Sequence, residues 1–482
     1  MDNHFDVIVL GTGLIESITA ARTYDPNPYY GADEASLSLD ELVQWVNRRK
    51  EHDRSVTHYG ELPSYARQYS VSLGPSVIPS IGPFISSLIA SGVSRYGSFK
   101  LLGRVVIYDG GMLKDVPQSK DDIFQSKAMS LLEKRRVTRF LMFAAGDFEN
   151  NKELHGQENS PLLDFLHRIF LLSEATARAI TYALGYCYFI AEKTLPALHR
   201  IRAYLKASGR YGPSSFLVGY YGGSGEIAQG FCRAAAVRGG VYILGRSVTK
   251  NPVLTSDLPR FAIEVDDFPD RLHCRCLISS TSLLPGHLST LADVIRPSIS
   301  SYSSPRPFAV ARCIAVVNGP ITLPWDIEDS GTSEVSDSLL LVFPPGSLHG
   351  GSAISAVHVM TAGPGILYIS MPLLTNSVHS AEILLRPYLT AVLSLFPAEQ
   401  QQQKTLISST SDPLVGLLAV PSSSPHITQG VDEAAIVAEA TFRKAAYSLN
   451  REIKEMNQGC EQTVFWPVLA EMEEGEGNDM HW

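Results

Sequence analysis

The spacing of apolar and polar positions divides the chain into stretches of different period. Asp6 to Leu10, DVIVL, is a short apolar run rich in β-branched residues and predicts a strand. It runs into Gly11, after which LIESITAA has helical spacing. DPNPYYGADEASLSLDEL, from Asp25, opens with turn-forming residues and predicts a loop. Ser38 and Glu41 then stand as S-x-x-E, a capping box for a helix LDELVQWVNRRK. Phe99 to Pro117 alternates and predicts a hairpin turning at Asp109-Gly110-Gly111.

From Asp121 to about Tyr204 the period changes to three and four. DDIFQSKAMSLLEKRRVTRFLMF, PLLDFLHRIFLLSEATARAITYALGYC and KTLPALHRIRAYLKA predict helices, with a polar loop at Glu149. Mixed structure then returns. Ser224 is a candidate N-cap, Glu226 to Arg238 a helix, Gly239-Gly240 its stop and Val241 to Leu244 a strand. FAIEV, RLHCRCLISS, FAVARCIAVVNG, SLLLVFPPG and GILYISMPL predict further strands. Ser/Pro-rich stretches at Ser298–Pro307 and Ser422–Pro425 predict surface loops, and a helix is expected from Val431.

Composition narrows the class. The 482 residues are 45% hydrophobic and 18% charged, enough apolar content for a large core in two or three packed domains. A net charge of −9 argues against general nucleic-acid binding. Six scattered cysteines, only Cys274 and Cys276 close together, form no zinc or disulfide pattern and suggest a reducing compartment. The opening MDNHFDVIVLGTG carries acids and only a short apolar run, unlike a signal peptide. No apolar run approaches the roughly 18 residues of a membrane span. The expectation is a cytoplasmic protein.

Strand, glycine turn and helix in that order open a dinucleotide-binding unit. Two departures count against a bound dinucleotide. Gly11 and Gly13 are present, but Glu16 stands where a third glycine would let the helix pack closely, and its carboxylate would oppose a pyrophosphate. The ribose-binding acid usually lies about 20 residues past the turn. Here the candidate is Asp25, only fourteen positions after Gly11. The intervening residues barely suffice for a helix, so the second strand is expected to be missing or the helix cut short. The residues alone leave two readings open, a flavoenzyme or a flavoprotein-like fold that binds something else.

No nucleophile elbow, zinc-protease motif, phosphate-binding loop or metal-ligand cluster occurs, and the thirteen histidines are dispersed. No catalytic and no metal-binding residue is expected. DVIVLGTGLIES, the Asp25 loop, LLEKRRVTRFL and GRYG…YYGGSGEIAQGFCRAAAVRGGVYIL together resemble the Rab GDP-dissociation inhibitor and Rab escort protein family. SLSLDELVQWVNRR, SGRYGPSSFL, FAVARCIAVVNGPI and FWPVLAEMEE are more similar to the escort branch, particularly its fungal members.

The resemblance implies an α/β, flavoprotein-like (FAD/NAD-binding-type) mixed domain with an inserted all-helical domain. Residues 1–118 and 213–430 would form domain I, residues 119–212 helical domain II, and 431–482 a C-terminal helix and acidic tail. It implies no cofactor and no enzymatic activity of its own. The implied role is to bind GDP-bound, unprenylated Rab GTPase, present it to the α/β heterodimer of Rab geranylgeranyl transferase, and deliver the lipidated product to membranes. A recycling inhibitor is the alternative, and a flavin-dependent oxidoreductase the rival class. Tyr30, Glu226, Arg233 and Tyr242 match the Rab-binding platform. Glu226 and Arg233, two turns apart, fall on one helix face. Tyr204 and Arg210 match a transferase contact. A cleft lined by Phe165, Leu166, Phe170 and Leu171 would hold the geranylgeranyl group, each buried methylene contributing about 0.8 kcal/mol.

Overall fold

The computed structural model describes residues 3–19, 23–25, 27–50, 57–59, 69–116, 129–220, 223–246, 248–254, 261–267, 270–280, 283, 309–317, 338–363, 365–374, 379–395, 405–409, 418–420, 426–455 and 465. The expected loops at 298–307 and 422–425, the helical start at 121–128 and the acidic tail lie outside these residues.

The first strand, β1 (His4–Leu10), is followed by a short helix α1 (Leu14–Thr19) and a short strand β2 (Thr23–Asp25). The brief crossover therefore cuts the helix to six residues and the strand to three, and keeps both. β2 still pairs in parallel with β1, Val9 opposite Thr23 and Leu10 opposite Tyr24. Helix α2 (Leu39–Lys50) starts at the expected box. The Ser38 N–H donates to Glu41 Oε2 at 2.8 Å and the Glu41 N–H donates back to Ser38 Oγ at 3.4 Å.

The next elements are short strands β3 (Ser36–Leu37), β4 (Thr57–Tyr59), β5 (Val71–Ser72) and β6 (Ile78–Pro79), then helix α3 (Pro83–Ser91) and strand β7 (Phe99–Leu101). The hairpin of β8 (Arg104–Asp109) and β9 (Met112–Asp115) turns at Gly110 and Gly111, both at positive φ. Among the described residues the helices α4 (Leu131–Ala145), α5 (Leu162–Phe170), α6 (Glu174–Ala179) continuing into a π-turn at Ile180–Leu184, and α7 (Thr194–Ala207) follow. Strand β10 (Phe216–Gly219) leads to helix α8 (Ser224–Val237). Its N-cap is Gly223 (φ 64°, ψ −133°), a backbone conformation that suits glycine. Ser224, expected as the cap, is the first helical residue and donates its hydroxyl to the Gly74 carbonyl at 2.8 Å.

The remaining strands are β11 (Tyr242–Leu244), β12 (Val248–Leu254), β13 (Phe261–Val265), β14 (Leu272–Ser280), β15 (Ala309–Val316), β16 (Leu339–Phe343), β17 (Val357–Ala362), β18 (Ile366–Leu373), β19 (Thr405–Ser409) and β20 (Leu418–Val420). Helix α9 (Ala381–Ser394) falls between β18 and β19, and helix α10 (Gly430–Glu455) follows β20.

Two large sheets organise the molecule. The first has the order β11-β2-β1-β14-β13-β12, with β20 also on β14. Alternation along β1 sends Val9 toward α1, α3, α8 and α10, where it joins Leu14, Phe84, Phe231 and Val431. Ile8 and Leu10 face the opposite side with Ile263 and Cys274. The second sheet runs β4-β19-β15-β18-β17-β16-β8-β9. Leu339, Leu341 and Phe343 of β16 face α9. Leu340 and Val342 face the other way, into a core shared with Phe140, Phe165 and Ile201 of the helical layer. The helices of 131–207 thus bury their apolar stripes against this sheet.

One buried polar clamp joins these layers. Arg200 on α7 donates through Nε to the Gly185 carbonyl at 2.9 Å and through Nη2 to Glu192 Oε2 at 2.7 Å. The second Glu192 oxygen accepts the Tyr188 N–H. The Tyr188 carbonyl accepts from Ala356 N–H at 2.7 Å, and its hydroxyl accepts from Ile427 N–H at 2.7 Å. Helices, second sheet and the approach to α10 meet at this one segment. Both ionic side chains are only 2% exposed. Removing one partner strands the other charge out of water, so Glu192→Ala is expected to destabilise by about 3–5 kcal/mol. A urea midpoint shift at constant slope measures this.

Candidate partner-binding surface

The glycine turn at the end of β1 is lined by carboxylates. Gly11 sits at φ 111°, and Glu16 folds back over the turn. A Cβ placed on Gly13 would lie 2.6 Å from Glu16 Oε2 and 3.2 Å from Glu34 Oε2. Glu34 Oε2 also accepts the Leu14 N–H at 3.3 Å. Asp25, at the end of β2, accepts the Thr12 N–H at 2.7 Å and the Thr12 hydroxyl at 2.5 Å. Its other oxygen accepts the N–H and the side-chain amide of Asn27 at 2.8 and 2.9 Å. A dinucleotide would meet the Glu16 side chain filling the space over the turn and the Glu34 carboxylate beside it, and would offer its ribose to an acid already bonded on both oxygens. The residues present do not fit that group.

Burial, and next the charge of Glu34, push the Glu16 carboxyl up to about 8; Asp25 and Asp33 add to the rise. Glu16 therefore holds a proton at neutral pH, which lets two acids flank one turn. Burial also raises Asp25, against the lowering effect of its bonds from Thr12 and Asn27. Between the unfolded value near 4.5 and the folded value near 8, the native state binds the extra proton. Stability must then fall as pH rises through that window, by up to about 1.4 kcal/mol per pH unit.

Of the candidate platform residues, Tyr30 and Tyr242 meet beside this turn, and Glu226 and Arg233 lie on the adjoining helix α8. The Tyr29-Tyr30-Gly31 loop crosses the start of α8 backbone to backbone. Gly31 sits at φ 99°, and a Cβ there would lie 2.8 Å from Ala35 Cα and 3.3 Å from Gly225 Cα. A Cβ on Gly225 would run into the Ser36 backbone nitrogen. The Tyr30 and Tyr242 rings meet edge to face, centroids 5.9 Å apart at 68°. Behind them the buried Cys232 thiol lies 3.2 Å from Ser17 Oγ. Arg233 is exposed on α8, its guanidinium 4.9 Å from the centroid of the Tyr96 ring. Glu226 is half-buried on the same face. The neighbouring helix α2 holds the loop from outside: Arg49 pairs with Asp33 at 2.5 Å and lies over Trp45, and Arg48 lies over Tyr29.

Sequence reasoning missed Tyr96, Cys232 and Glu34. Glu34 carried a usable signal, as an acid three residues after the Y-Y-G turn. Tyr96 had none.

Two other expectations need correcting. Tyr204 does not reach the surface. It is 4% exposed, donates its hydroxyl to Thr428 Oγ1 at 2.7 Å, and packs on Tyr186 and Phe216. An inward position on α7 makes it a core joint. Arg210 is exposed, stacked over Tyr211. Phe165, Leu166 and Phe170 are fully buried, with Phe170 against Phe140 and Phe143 at 5.2 Å. Leu171 alone of the four is exposed, at the end of α5 in the left-handed region. Among the described residues no cluster of three His, Cys, Asp or Glu side chains could hold a metal.

Glu16→Gln, which mimics the protonated acid, is expected to melt at a higher temperature than the parent at pH 8–9 and at the same temperature near pH 4. Denaturing the purified protein is expected to release no stoichiometric flavin into the supernatant, read by absorbance and fluorescence.

Comparison with known proteins bears on the family and the fold. The family model described as GDP dissociation inhibitor matches residues 1–322. The "Rab proteins geranylgeranyltransferase component A" of Saccharomyces cerevisiae is 29% identical over 385 residues, covering 75% of this chain and 58% of that protein. Its Candida albicans namesake is 30% identical over 371 residues, covering 72% and 54%. The chain thus spans a little over half the length of these curated relatives. A crystal structure of Rab GDI from Plasmodium falciparum superposes with a TM-score of 0.65 at 20% identity, over 92% of this chain and 98% of that one. An oxidoreductase from Methanosarcina mazei follows at 0.53 and 13%, over 91% and 100%. These two likenesses establish the flavoprotein-like fold. The residues matched by the family model, two thirds of the chain and including every platform position, establish more than the fold: the chain belongs to the GDP dissociation inhibitor family.

Proposed function

We propose that this chain is a Rab escort protein, the non-catalytic component A that binds GDP-bound, unprenylated Rab and presents it to the geranylgeranyl transferase heterodimer. The observation that carries the reading is the Tyr30–Tyr242 contact on a loop seated against the start of α8, the helix that carries Glu226 and Arg233, in a chain of this family. Two flat amphipathic rings beside a stacked arginine are the residue types that dominate interface energetics. The names of the fungal relatives support the escort branch over the recycling branch.

The chain's residues supply positioning and leave the chemistry to the partner. Preference for the GDP form follows from contact with the switch regions, whose conformation changes with the nucleotide. Holding the Rab tail near the transferase raises its effective concentration there. After transfer the chain shields the lipid until a membrane receives it. Arg210, exposed and stacked on Tyr211, is the remaining candidate for the transferase side. No described helix is long and apolar enough to cross a membrane, which fits delivery by a carrier in the cytoplasm.

A mixture of the chain, GDP-loaded Rab, the transferase heterodimer and geranylgeranyl diphosphate is expected to lipidate Rab, and omission of the heterodimer to abolish transfer. Bare Rab in the full mixture, together with extraction of prenylated Rab from membranes, would assign the recycling role instead. Arg233→Ala is expected to weaken Rab binding by about 2 kcal/mol with the thermal midpoint unchanged, because a desolvated interface arginine commonly costs that much. Titration calorimetry and a melting curve on the same preparation read the two quantities.

A further inference from the structure

In dinucleotide folds that open as this chain does, the cofactor itself partners the polar groups of the glycine turn, phosphate on the helix side and ribose on the acid after the second strand. Here those partners come from the chain. Asp25 takes both the N–H and the hydroxyl of Thr12. Gly31 donates its N–H to the Thr12 carbonyl at 3.1 Å and to Thr12 Oγ1 at 3.0 Å. Glu34 takes the Leu14 N–H. Gly74 makes room behind it, since a Cβ there would lie 3.2 Å from Glu34 Cγ. All three partners lie in the one segment, 25–34, that also carries Tyr29 and Tyr30.

We infer that Asp25, Gly31 and Glu34 serve as an internal substitute for the dinucleotide of related folds, and that this set of bonds, with Thr12 as its hub, positions Tyr30 on the partner surface. The physical need is plain. A three-residue β2 offers few ladder bonds of its own. The following loop has turn geometry through Gly31 and only a single 3-10 turn, Ala32–Glu34. Without outside anchors it would lose a defined conformation, because each ordered residue costs about 1–2 kcal/mol of entropy. Thr12 links it to the end of β1, Glu34 to the start of α1, and Gly31 seats it on α8. Thr12 and Glu34 are thus positioning residues. Their effect on a partner rests on the Rab reading above, whereas the anchoring does not.

Hydrogen exchange separates the two. Peptides covering 27–35 are compared in the parent, Glu34→Ala and Thr12→Val, with the α8 peptide 226–237 as internal reference. At least tenfold faster exchange is expected across 27–35 in both variants, with 226–237 unchanged. Glu34→Gln keeps an acceptor oxygen in place and is expected to recover most of the protection, remaining two- to fivefold faster than the parent because the charge-assisted bond is lost. Parent rates across 27–35 in Glu34→Ala and Thr12→Val would overturn the inference. If those two variants do not fold, parent rates in Glu34→Gln would overturn it. Affinity for GDP-loaded Rab is then measured with Arg233→Ala as reference, and Glu34→Ala is expected to bind at least tenfold more weakly. A loosened loop with undiminished Rab affinity, while Arg233→Ala binds weakly, overturns the positioning of Tyr30 and leaves the Rab reading standing. A loosened loop with Rab affinity unchanged in both variants overturns the Rab reading and leaves the anchor standing.

Discussion

Everything on the candidate surface depends on how closely two backbones approach at Gly31 and Gly225. The loop and the start of α8 touch with no side chain between them, and a methyl group on either glycine would meet backbone atoms that cannot move aside. That contact fixes where the loop leaves α8. The Thr12 bonds to Asp25 and Gly31 fix where it leaves the first sheet. Between these two restraints Tyr30 has one place to go, and it meets Tyr242 there. The surface is made of a loop, a helix and a strand end, yet its geometry is set by main-chain contacts.

In the same region the chain itself satisfies polar groups that a dinucleotide satisfies in related folds. A glycine turn facing water or a cofactor leaves its polar groups to be satisfied from outside. Here they are satisfied from within, by acids whose mutual repulsion is relieved by a proton on Glu16. The result is a closed turn that joins the first strand to the loop carrying Tyr29 and Tyr30.

A second buried ionic element works on the other side of the molecule. Arg200 and Glu192 hold the segment from Gly185 to Glu192, and Tyr188 in that segment bonds to the second sheet and to the residues before α10. The helical layer is therefore docked on the sheet by hydrogen bonds as well as by its aromatic core. That core takes up Phe165, Phe170 and Tyr204, which the family resemblance had assigned to a lipid cleft and a transferase contact.

Sequence by itself determined what neighbours along the chain decide. The strand–turn–helix opening, the Ser38–Glu41 box, the hairpin at Gly110-Gly111, the change to helical period and the common face of Glu226 and Arg233 all rest on interactions within a few residues. Only the tertiary structure decided the rest. An apolar period says that a helix has a buried stripe but not which elements that stripe meets, and the structure puts Tyr204 and Phe170 in the shared core. The number of residues between Gly11 and Asp25 showed that something had to be shortened. It did not show that parallel pairing with β1 and β11 would hold even a three-residue strand. Tyr96 lies beneath Arg233 and Glu34 caps Leu14 because segments far apart in sequence are brought within ångströms, and no local pattern encodes which distant segments meet.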